Sequence, residues 1–131
     1  MNQPPEDVEA LRAANAAFYE AFERGDLDAM SEVWEHSDRV VCVHPGWPAL
    51  HGWARVVGSW LSMFQGPERL QFILTDERYE VVGDVGWVSV EENILGASSG
   101  ATVAALNLWV RTDGRWKLVA HHGAGVAPRS A

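Results

Sequence analysis

From Leu70 onward, four long segments carry apolar residues on both of their faces, and no other feature limits the fold so strongly. They run from Leu70 to Val82, Val85 to Leu95, Ala101 to Arg111, and Arg115 to about Gly125. Gly83-Asp84 and Gly96 to Gly100 connect the first three. Asp113-Gly114 is a hairpin signal, because Asp-Gly accepts the positive φ of a tight turn. Period-two alternation puts Trp87, Ser89, Leu106, Leu108, Trp116 and Leu118 on one side of the sheet. Val88, Val90, Ala105, Trp109 and Val119 fall on the other. A sheet with one wet face would alternate apolar with polar residues. This sheet therefore requires two covers. The chain's own helices supply one, and a partner subunit in a two-fold homodimer is the simplest second.

The helices precede the strands. Val8, Leu11, Ala14, Phe18 and Phe22 recur at spacings of three and four, the mark of one helix face. Gly25 suits the position after that helix, and Asp26 can cap a second, shorter one running to Trp34. A strand from Arg39 to His44 follows, then the loop Pro45-Gly46-Trp47-Pro48, then a third helix from about Gly52 to Phe64. The order predicts a single α+β domain over residues 7–128, with residues 1–6 as a flexible tail.

The bulk numbers exclude several function classes. The chain has 131 residues and a formal net charge of −8, with no basic run, so nucleic acid is not an expected partner. No apolar stretch approaches the ~20 residues of a membrane span. The start, Met-Asn-Gln-Pro-Pro-Glu-Asp, lacks the basic and apolar regions of a signal peptide, which points to a cytoplasmic protein. Cys42 is the only cysteine, and its neighbours Val40, Val41 and Val43 mark it as a core residue. His121 and His122 are adjacent and point to opposite faces of a strand, so they do not chelate one ion together. No metal and no cofactor is expected. Phosphate-binding loops, nucleophile elbows and redox cysteine pairs are missing from the sequence.

At this level of detail the chain resembles the nuclear transport factor 2-like superfamily, in its SnoaL-like branch. The resemblance rests on Ala17-Phe18-Tyr19-Glu20-Ala21-Phe22 followed by Gly25-Asp26-Leu27-Asp28-Ala29-Met30, and on Val43-His44-Pro45-Gly46. It rests also on Asp113 to Val119 leading into His121-His122. The last third is similar to the association domain of calcium/calmodulin-dependent kinase II. The resemblance implies a cone: a curled antiparallel sheet wrapped around N-terminal helices, as in a cystatin-like roll, with a pocket at its open end. It implies dimers packed through the outer sheet face, and it does not imply one activity. The kinase domain's pocket arginines match Glu92, Asn107 and Gly123 by register, and this chain departs from them at all three.

With Val88, Val90, Ala105 and Val119 facing inward, period two brings Glu92, Asn107, Trp109 and His121 to the cavity side. Glu92 and His121 are the candidate catalytic pair, with desolvation raising the carboxyl pKa and a nearby carboxylate holding the imidazole charged. Asn107, Trp109, His44, Tyr19 and Trp47 are candidate ligand-binding residues. Two readings stand side by side. The cone is either a pocket for a small, mostly apolar molecule with cofactor-free acid/base chemistry, of isomerase, cyclase or dehydratase type, or the core of a non-catalytic oligomerisation or interaction module. In the second reading Glu92 and His121 satisfy one another as a structural pair.

Overall fold

The computed structural model describes residues 5–95 and 101–127. Helix α1, Pro5–Arg24, begins two residues earlier than Asp7. Pro5 suits the first helical position, where a missing N–H costs nothing. Gly25, at φ 61°, ends the helix. Asp26 then caps α2, Leu27–Val33, by accepting a 3.0 Å hydrogen bond from the Ala29 N–H. Strand β1 is short, Val41–Val43, and is followed by a two-residue strand β2, Leu50–His51, that periodicity cannot reveal. Helix α3 covers Trp53–Gln65. Strands β3, Gln71–Val82, β4, Val85–Leu95, β5, Ala101–Thr112, and β6, Arg115–Gly125, match the four expected segments within a residue at each end. The Gly96 to Gly100 connection and Pro128 lie outside the described residues.

The six strands form one curled, unclosed sheet in the order β2-β1-β6-β5-β4-β3. Strands β3 to β6 are an antiparallel meander, whereas β1 joins β6 in parallel, with Cys42 beside His121. The concave face holds the core: Leu11, Phe18, Trp60, Val88, Val90, Trp109 and Leu118 are buried there. Helix α1 crosses this face. Near the start of α1, Arg111 ties the helix to the sheet, donating to Asp7 at 2.7 Å and to Asp84 at 3.1 Å.

One expectation about the faces fails. Trp116 and Leu118, assigned to the outer side, are buried with the inner residues. The β5–β6 register explains this, since Leu108 pairs with Ala120 but Trp109 pairs with Leu118. The extra residue, Val119, is a bulge, and it shifts the alternation of everything before it in β6.

Helix α1 packs tightly against the sheet at Gly86, where a Cβ would lie 2.9 Å from Leu11 Cδ2. Leu11 is fully buried and has little room to retreat. Gly86→Val is expected to destabilise the protein by about 1–3 kcal/mol through overpacking. Urea denaturation checks this: the midpoint should fall with an unchanged m value.

Candidate functional site

Midway along the concave face, four elements bring polar side chains together within the apolar core. Helix α1 contributes Asn15 and Tyr19, β4 contributes Glu92, β5 contributes Asn107, and β6 contributes His121. All five are at most 4% exposed. Such groups remain buried only if they are hydrogen-bonded. The Tyr19 hydroxyl donates to Glu92 Oε2 at 2.6 Å. Asn107 Nδ2 donates to Asn15 Oδ1 at 3.0 Å and to the Tyr19 oxygen at 3.2 Å. Asn107 Oδ1 lies 2.6 Å from His121 Nδ1. The result is a continuous chain, Glu92–Tyr19–Asn107–His121, braced by Asn15.

This arrangement changes two expectations. Glu92 and His121 do not meet directly, because Tyr19 and Asn107 lie between them. His121 is also not held charged: burial pushes its pKa down to about 3, helped by His44 and His122 nearby. Glu92 moves the other way. Desolvation raises its carboxyl to about 7, and the Tyr19 hydrogen bond partly offsets the rise. Burial and the adjacent carboxylate push the Tyr19 hydroxyl far up, so it keeps its proton.

The remaining candidates divide by position. Asn107 spends both amide hydrogens inside the protein and positions its neighbours. Trp109, fully buried, pairs with Leu118 across the strands and packs in the core. Its indole N–H, like that of Trp60, is buried without a protein partner among the described residues. His44 follows β1 and is 2% exposed. Its Nε2 lies 2.9 Å from Ser59 Oγ. Ser59 donates its own hydrogen to the Val56 carbonyl, so His44 carries a proton on Nε2. Burial lowers the His44 pKa to about 4. Trp47, 43% exposed, sets its ring edge-on to His44 at 5.0 Å. The rings of Phe18 and Trp60 pack beside His121 at centroid distances of 5.0 and 6.1 Å.

Asn15 is the one member of this hydrogen-bonded cluster that is not among the candidates expected from the sequence. Its signal was present, since it lies four residues from both Leu11 and Tyr19 on the buried helix face. Among the described residues no group of three His, Cys, Asp or Glu side chains could hold a metal. None of the described helices is long and apolar enough to cross a membrane.

The SnoaL-like domain model matches residues 11–128. A structure from Streptomyces avermitilis, of an NTF2-like family protein proposed to be a dehydratase, is 41% identical with a TM-score of 0.88, covering 96% of this chain and 100% of that one. Another, from Thiobacillus denitrificans, is proposed to be a calcium/calmodulin-dependent protein kinase type II association domain. It is 32% identical with a TM-score of 0.81, over 88% of this chain and 94% of that one. The F-box protein SKIP8 of Arabidopsis thaliana is 26% identical over 115 residues, 88% of this chain. The chain spans about half, 49%, of that curated relative's length.

The pKa of Glu92 has a consequence for stability. Its folded value, about 7, exceeds the ordinary 4.5, so between those values the folded state binds the extra proton. Stability from this group is therefore lost as pH rises from 4.5 through 7. Glu92→Gln carries no such penalty. Above pH 7 the variant is expected to gain on the order of 2 kcal/mol relative to the wild type, compared with the difference at pH 4.5. Parallel denaturation series at the two pH values check the sign, and a difference independent of pH contradicts it.

Proposed function

The chain belongs to the SnoaL-like domain family, and on that premise we propose that its cone binds a small, mostly apolar organic molecule and moves a proton on it without a cofactor. The observation that carries this reading is Glu92, a carboxyl brought to about 7 inside an aromatic enclosure. A general acid/base works best when its pKa lies near the operating pH. His121, with a pKa near 3, is too weak a base to share that work and serves as an orienting group. The Tyr19 hydrogen bond occupies Glu92 Oε2 and leaves Oε1 for exchange. In an isomerisation, Oε1 removes a proton from a carbon beside a carbonyl and returns it to another carbon. In a dehydration, the same proton goes to the departing hydroxyl, which leaves as water. Either way one carboxyl balances the step. The likeness to the Streptomyces avermitilis protein favours the elimination form.

Native mass spectrometry of the purified protein is expected to reveal a retained small molecule, and β-hydroxycarbonyl probes are expected to lose water in its presence. Glu92→Gln should lower turnover by about 10²- to 10⁴-fold while folding is retained. Full turnover by the variant overturns the assignment, as does a protein with neither retained molecule nor turnover.

A second reading is favoured by the convex face. Val41, Val43, Trp87, Leu106, Leu108, Ala120 and His122 help line an apolar groove of about 540 Å3 there. Leu106 is 48% exposed. Contiguous apolar patches of this kind mark interfaces. On this reading the face pairs with a second copy in a homodimer, as the association-domain likeness suggests, and the fold serves assembly. Light scattering is expected to show a dimer, and Leu106→Glu a monomer. A wild-type monomer at micromolar concentration sinks this part of the proposal.

A further inference from the structure

Hydrogen-bond accounting along the buried chain fixes more than positions. With Glu92 ionised, its Oε2 can only accept, so the single Tyr19 hydrogen points to it. The Tyr19 oxygen is then an acceptor toward Asn107, and the amide atom 3.2 Å away must be the donating nitrogen. Asn15 Oδ1 independently demands the same orientation at 3.0 Å. Asn107 Oδ1 therefore faces His121, and an acceptor 2.6 Å from Nδ1 requires that Nδ1 carry the proton. A neutral imidazole protonated there has its lone pair on Nε2.

We infer that Asn107, braced by Asn15 and by Tyr19 with Glu92, is a positioning residue that holds His121 as the Nδ1–H tautomer, so that Nε2 accepts from a ligand hydroxyl. The ligand half of this inference rests on the proton-transfer reading above; the tautomer half does not. The surroundings of His121 agree with an uncharged hydroxyl-bearing ligand. Phe18 and Trp60 flank the ring, His44 beside it is held neutral, and Glu92 would repel an anion. The geometry reverses the usual preference of a free imidazole, which puts the proton on Nε2, so the tautomer is a specific signature.

Long-range 15N-correlated NMR of the labelled full chain at pH 8, where Glu92 is ionised, reads both ring nitrogens. The wild type is expected to show a protonated Nδ1 and a lone-pair Nε2 for His121. Asn107→Leu removes the acceptor at similar volume, and His121 should revert mainly to the Nε2–H form. Asn107→Asp keeps an acceptor and should keep the Nδ1–H form. Cyclohexanol added to the wild type should then shift the Nε2 resonance. A wild-type His121 protonated on Nε2 overturns the inference, as does an unchanged tautomer in Asn107→Leu. Should that variant fail to fold, the wild-type spectrum and Asn107→Asp decide the tautomer. An intact tautomer with no Nε2 response to the alcohol overturns the ligand half alone. Loss of turnover in Glu92→Gln addresses the proton-transfer reading separately, because it reports on a different atom.

Discussion

Helix α1 lying in the concavity of the sheet is the contact on which the rest of this molecule depends. The helix presents Leu11, Asn15, Phe18, Tyr19 and Phe22 to the inner face of the strands, with Met30, Trp34 and Trp60 completing the cover beside it. Gly86 lets it come close at one end, and Glu23 accepts from the Phe72 N–H at 2.8 Å near the other. Because the helix is seated so closely, its polar residues have no water to turn to. Asn15 and Tyr19 must find partners on the sheet, and the sheet offers Glu92 and Asn107 in register. The hydrogen-bonded chain is thus a product of the packing and also the reason the packing tolerates five polar side chains.

Opposed pKa shifts follow from the same enclosure. Desolvation disfavours any charged form, so it raises the carboxyl of Glu92 and lowers the imidazoles of His44 and His121. A single physical cause leaves one group able to exchange protons near neutrality and two held neutral. Burial therefore assigns different tasks to groups that a sequence presents as equivalent titratable residues.

The sequence revealed what periodicity and turn chemistry control. Val88, Val90 and Ala105 face inward, as do Glu92, Asn107 and His121, because β4 and β5 keep a strict alternation and β6 keeps it after the bulge. The bulge itself was invisible: nothing in Leu118-Val119-Ala120 distinguishes it from regular strand, and its position depends on how β6 meets β5. Strand β2 escaped notice because two residues carry no period. The direct Glu92–His121 pair failed for a different reason. Strand alternation places side chains on a face but does not say which helix residues will come between them, and Tyr19 and Asn15 arrive from 70 residues or more away in the chain.

The parallel seam between β1 and β6 bears on the order in which the molecule assembles. Strands β3 to β6 follow one another in sequence and close through local loops, whereas Cys42 must find His121 across a loop of about 80 residues. Closing that long loop costs more chain entropy than the short turns of the meander, so the meander is expected to form before the seam. The seam leads into His44 and the Trp47 ring packed on it, while Glu92, Tyr19, Asn107 and His121 are joined without β1. The three-residue β1 is tied to the sheet through this long loop, and amide exchange at Val41 to Val43 is expected to be faster than in β5. Loss of that seam would leave the hydrogen-bonded chain of Glu92, Tyr19, Asn107 and His121 assembled, because none of its links passes through β1.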